Sequence, residues 1–153
     1  PEWKLIIIGD GPEYEKLKLQ ITNYKLQNRV ELTGAVSRES VLEYLNHAEL
    51  FILNTFFESF SFQVVEAMSL GLPVITTNIG NISEIISNGT NGVLVEPDNK
   101  EGFLSVIKKI DQDVDFRNNL SNFAVLMAKD FSIEITLNSL IHVLNKLKYG
   151  RAG

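Results

Sequence analysis

Five short apolar runs punctuate the first two thirds of the chain: "LIIIG" (5–9), "VEL" (30–32), "LFIL" (50–53), "PVIT" (73–76) and "GVLV" (92–95). Between them the apolar residues fall at helical spacing, over 12–26, 38–47, 62–70, 82–87 and 100–110. Strands that alternate with helices are joined by right-handed crossovers and build a parallel sheet. Most of the runs are apolar throughout, as expected of strands covered by helices on both faces. The expected fold class is therefore α/β, a doubly wound parallel sheet of about five strands with helices on both faces. After Asp111 the pattern turns wholly helical, over 116–129 and 133–149, with "DFS" supplying an N-cap before Ile133. Pro12 is expected at the first position of its helix, where its missing N–H costs nothing. The length of 153 residues fits one domain over 1–149, followed by a frayed or appended tail at 150–153.

Composition closes several routes. A net charge of −5 argues against a nucleic-acid partner, which would be gripped by clustered Lys and Arg. No stretch reaches the length of uncharged apolar residues that a membrane span needs. The chain has no cysteine, which excludes disulfide and thiolate chemistry and suits a reducing, cytoplasmic setting. "GDGP" fails the dinucleotide fingerprint because Tyr14 stands at the third glycine position. There is no P-loop and no G-x-S-x-G elbow. His47 and His142 are isolated, and no cluster has metal-ligand spacing, so no metal is expected.

Ligands of open parallel sheets bind beyond the carboxyl ends of the strands. The loops there are "GDGPE", "TGAVS", "NTFFESFS", "TTNIGN" and "EPDN". The third runs into "ESFSFQVVE", with Glu58 and Glu66 eight positions apart. Ser61 is placed to cap the helix that Phe62 opens. On a helical wheel Val64, Val65 and Met68 form the buried stripe, and Glu66 lies opposite, toward water or a cleft. Between the two glutamates run the free N–H groups of residues 61–63, at a helix end that favours anions. A carboxylate accepts two hydroxyl donors at once. The order acceptor, anion site, acceptor matches sugar, diphosphate, ribose. The plainer alternative is a pair of solvated glutamates flanking a helix start.

The stretch "FESFSFQVVEAMSLGLPVITTNIGNISEIISNGTNGVLVEPDN" resembles the signature region of retaining GT-B glycosyltransferases of family 4, the "group 1" transferases. The family's E-x7-E motif falls on Glu58 and Glu66. "EAMSLGLPV", "GNISEII" and "GVLVEPDN" follow in the family's order, and "IIIGDGPE" and "VELTGAVS" resemble the two preceding strand–helix units. The resemblance covers residue 4 to about residue 110.

The resemblance implies the nucleotide-sugar-binding, C-terminal half of a GT-B fold, acting on a nucleotide diphosphate sugar without a cofactor or bound metal. It implies that Glu58 approaches the donor sugar and that Glu66 binds the ribose. The backbone at Ser61, Phe62 and Gln63 would face the diphosphate, with Ser59 and Phe60 as further donor-binding positions. Ala35 and Val36, with Ser37 beside them, would frame the base, and Gly9 and Gly11 would border the nucleotide. Ser61 departs from the family's usual glycine; its hydroxyl either reaches a phosphate or caps its own helix. The family's diphosphate-binding Arg and Lys, and the N-terminal domain that receives a glycan or lipid acceptor, lie upstream of anything matching Pro1. The chain is thus expected to be a truncated half with little activity alone, able to self-associate through an exposed sheet edge. The full-length protein is expected in the cytoplasm or peripheral at the inner membrane face. Alternatives are the corresponding half of a nucleotide-sugar epimerase or a phosphorylase, or a non-catalytic doubly wound binding module.

Overall fold

A computed structural model describes residues 3–149, so the tail expected at 150–153 lies outside the described residues. The chain divides into two compact units, Pro1–His47 and Ala48–Gly153.

In the first unit, β1 (Leu5–Ile8) pairs in parallel with β2 (Val30–Gly34), Leu5 opposite Val30 and Ile7 opposite Leu32. Helix α1 (Tyr14–Asn23) makes the crossover between them and α2 (Arg38–His47) follows β2. The α1 helix is shorter than the 12–26 that periodicity predicts. Pro12 is not its first residue but lies in the turn before it, where the Tyr14 N–H donates to the Gly11 carbonyl at 3.0 Å. A proline suits the second position of such a turn as well as it suits a helix start. At the other end Lys25 takes a left-handed backbone (φ 55°), and the Leu26 and Lys25 amides fold back onto Ile21 and Thr22. Strand β1 is only partly covered, with Leu5 and Ile8 exposed, so the expectation of burial on both faces fails there.

The second unit is a three-stranded parallel sheet in the order β3 (Phe51–Leu53), β4 (Val74–Thr77), β5 (Val93–Val95). The central strand meets the two-faced expectation: all four β4 residues are buried. Helix α3 (Phe62–Ser69) packs against β3 and β4, and α4 (Lys100–Gln112) against β5. Helix α5 (Val114–Ala128) lies against both α3 and α4. Ile75, Val93, Val95, Ile110 and Leu120 form one core, flanked by Leu50, Ile52, Phe103 and Phe116. The buried stripe of α3 is Val64, Ala67 and Met68; Val65, placed in that stripe by the helical wheel, is only half-buried. The α3 helix closes on a Schellman turn: the Leu72 amide donates to the Ala67 carbonyl and the Gly71 amide to that of Met68. Gly71 supplies the positive φ (75°) that this turn requires.

The helix expected over 82–87 is a single 3₁₀ turn, Ile82–Glu84. Ile82, Ile85 and Ile86 are buried at helical spacing, so the periodicity is real. The buried Asn91 side chain takes the backbone groups that a longer helix would use, accepting the Ser87 N–H at 2.7 Å and donating to the Ile85 carbonyl at 3.0 Å. The last helix, α6 (Ile133–Tyr149), begins where Ser132 accepts the Ile135 N–H, as "DFS" predicts. Its apolar side chains at 137, 140, 141, 144 and 147 are all about half exposed. Among the described residues no helix is long and apolar enough to cross a membrane.

Candidate functional site

Parallel pairing puts the carboxyl ends of β3, β4 and β5 on one edge of the second unit. Three loops leave that edge: 54–61 toward α3, 78–81 toward the 3₁₀ turn, and 96–99 toward α4. The first carries the two-glutamate segment. Glu58 is half-buried in the loop, and Glu66 is half-buried on α3. Ser61 is completely buried and caps α3, its hydroxyl accepting the Val64 N–H at 3.4 Å and lying 3.3 Å from Gln63 Oε1. Of the two roles open to this hydroxyl, the cap is the one the structure displays. It engages the third amide of the helix, and the Phe62 and Gln63 amides, which lead the helix, find no acceptor within it. Phe60 packs edge-on to Phe62 at 5.0 Å and against Phe131 at 5.6 Å. Phe57 (87%) and Phe62 (72%) stand well out of the chain beside Glu58 and Ser61.

The loop is shaped by its own bonds and by β4. Thr55 Oγ1 donates to the Phe57 carbonyl at 2.9 Å and accepts the Phe57 N–H at 3.3 Å, a local hydroxyl turn just before Glu58. Thr77 Oγ1 accepts the Thr55 N–H at 3.1 Å and donates to the Thr55 carbonyl at 2.6 Å. The 78–81 loop comes close to the same segment: a Cβ on Gly80 would stand 1.8 Å from the Glu58 carbonyl oxygen. Asn78 Nδ2 in turn donates to Glu96 Oε1 at 3.1 Å, tying the second loop to the third.

Of the sequence-predicted residues, Glu58, Ser59, Phe60, Ser61, Phe62, Gln63 and Glu66 thus share one loop-and-helix segment of the second unit. Gly9, Gly11, Ala35 and Val36 belong to the first unit, just past the carboxyl ends of the parallel strands β1 and β2. Beyond the adjoining residues of the chain, no atom of the described residues stands within 4 Å of where a Cβ would sit on Gly9 or Gly11. Ser37 has a structural task, its hydroxyl accepting the Ser40 N–H at the start of α2. Among the described residues no group of acidic or imidazole side chains is disposed to hold a metal ion. Thr55, Thr77 and Gly80 escaped the sequence reading as site residues. All three lie in the ligand-side loops "NTFFESFS" and "TTNIGN", but nothing in the sequence singles them out from the turn formers around them.

Residues 1–127 match the family model described as Glycosyl transferases group 1. The chain is 36% identical over 107 residues to the 2-deoxystreptamine N-acetyl-D-glucosaminyltransferase of Niallia circulans, covering 70% of this chain and 28% of the relative. It is 31% identical over 148 residues to the poly(glycerol-phosphate) alpha-glucosyltransferase of Bacillus subtilis, covering 96% of this chain and 22% of the relative. Among solved structures, Anabaena HepE in complex with UDP-glucose superposes with a TM-score of 0.83 at 25% identity, over 95% of this chain and 41% of that one. The chain therefore spans less than half the length of these proteins.

Proposed function

The chain belongs to the glycosyl transferases group 1 family, and on that premise we propose that it is the donor-binding half of a retaining, family 4 GT-B glycosyltransferase. The complete enzyme moves a sugar from a nucleotide diphosphate sugar to an acceptor hydroxyl and keeps the anomeric configuration. The observation that carries this reading is one segment in which two half-buried carboxylates, Glu58 and Glu66, bracket a helix start capped by the buried Ser61. UDP-glucose bound to the similar Anabaena protein supports a nucleotide-sugar ligand.

In this reading Glu58 accepts hydroxyls of the transferred sugar and Glu66 accepts the 2′- and 3′-hydroxyls of the ribose. The leading amides of α3 and the positive end of its dipole face the diphosphate. Glu58 orients the sugar and is not a nucleophile. The bond from the anomeric carbon to the diphosphate breaks as the bond to the acceptor oxygen forms on the same face. The departing phosphate takes the acceptor's proton. No metal is needed for that displacement. The acceptor, a glycan or a lipid, is chosen by residues outside this chain, and the full-length protein works in the cytoplasm or at the inner face of its membrane.

Saturation-transfer NMR against UDP-, GDP- and ADP-sugars tests the reading. One nucleotide series should show transfer to its ribose and base protons, and Glu66→Ala should strongly reduce the ribose signal. Absence of transfer from every series would overturn it.

A further inference from the structure

Two residues outside the glutamate motif hold the loop that contains Glu58. Thr77 ends β4, is completely buried, and uses a single hydroxyl both to accept the Thr55 N–H and to donate to the Thr55 carbonyl. Thr55 passes that anchorage on, its own hydroxyl gripping both backbone groups of Phe57. A continuous hydrogen-bonded path thus runs from the central strand to the residue before Glu58. Gly80 meets the next peptide from another loop. A Cβ there would lie 1.8 Å from the Glu58 carbonyl oxygen and 3.0 Å from its carbon. The opposing atoms are backbone, so any side chain at 80 must move the loop itself. The neighbouring Thr76 hydroxyl, equally buried, has no partner among the described residues, so this bonding is particular to Thr77.

We infer that Thr77 and Gly80 are positioning residues that set where the Glu58 carboxylate sits, and that through it they govern recognition of the sugar rather than of the nucleotide. This rests on the role proposed above for Glu58. Glu66 belongs to α3, whose placement depends on its buried stripe and not on these contacts. Nucleotide affinity should therefore survive their loss.

The test combines amide hydrogen exchange with binding, on Thr77→Val, Thr77→Ser, Gly80→Ala and a control, Gly89→Ala. Gly89 also has a positive φ (78°), but beyond its chain neighbours no atom of the described residues lies within 4 Å of its would-be Cβ, so the control reports backbone strain alone. The probes are UDP, GDP and ADP and their glucose conjugates. Thr55 should exchange faster in Thr77→Val and as in the wild type in Thr77→Ser. The ratio of the Kd for the bare nucleotide to that for its sugar conjugate should fall about fivefold in Thr77→Val and Gly80→Ala, the scale of one lost hydrogen bond. It should hold within about twofold in Thr77→Ser and Gly89→Ala. An unchanged ratio in both Thr77→Val and Gly80→Ala overturns the inference, as does an equal loss of nucleotide and conjugate. Faster Thr55 exchange in a chain whose wild type binds no nucleotide would uphold the anchoring of the loop and refute the donor assignment instead.

Discussion

Thr76 precedes Thr77 on β4 and so points to the opposite face of the sheet, where its buried hydroxyl has no hydrogen-bond partner among the described residues. An unpaired buried hydroxyl is destabilising relative to an apolar group of the same shape. Thr76→Val is accordingly expected to leave stability unchanged or raise it by about 1 kcal/mol. Thr77→Val strands both backbone groups of Thr55 and is expected to cost about 1–3 kcal/mol. Urea denaturation of the two variants measures both, and a Thr76→Val chain less stable than wild type would show that the hydroxyl is satisfied. At this scale the sequence is informative wherever partners are close along the chain. Ser61 and Ser132 could be named as caps because each bonds an amide three residues on. Thr77 could not, because its partner is 22 residues away and only the pairing of β3 with β4 brings them together.

Element boundaries follow the same division between local and distant causes. The ranges 38–47 and 133–149 are read correctly to the residue, since polar caps and apolar spacing agree at both. The helix over 82–87 is misread because one buried amide side chain, Asn91, redirects the backbone from outside the segment. The β1–β2 pair yields a prediction of its own. Lys4 Nζ contacts Glu31 Oε2 at 2.6 Å across the two strands, and this hydrogen bond, with the charge behind it, holds the Glu31 carboxyl below its ordinary 4.5. The folded chain therefore binds this proton less readily than the unfolded chain. The contribution to stability is complete above the ordinary carboxylate range and disappears as pH falls through the lowered value. The pair is exposed, so the effect is small and weakens with salt. Lys4→Met should flatten the acid side of a Tm-against-pH curve below pH 4.5 at low ionic strength, and an unaltered curve would mean that the pair contributes nothing.

For the whole molecule, the proposed function divides labour between this chain and the remainder of a longer enzyme. Supplied with donor and labelled acceptor, the chain alone is expected to bind without appreciable turnover, because a transfer needs an oriented acceptor and a water-excluding cleft. Turnover at ordinary enzyme rates would refute this. Self-association is also expected, through an unpaired edge of the two-stranded β1–β2 sheet, among the described residues. Light scattering over a concentration series should show growing apparent mass, relieved by Ile6→Lys; a constant monomer mass would count against it. The strand-and-helix order, the parallel pairing and the two-glutamate segment were all legible in the sequence, since each rests on local pattern. The division into two units and the bracing of one loop by another were not. Helix α6 carries a practical warning of a different kind. Its half-exposed apolar side chains are expected to make the isolated chain adhere to surfaces and detergents as a surfactant does. Any titration of this chain should therefore be repeated with Leu140→Gln and Leu144→Gln in place, so that adhesion is not mistaken for recognition.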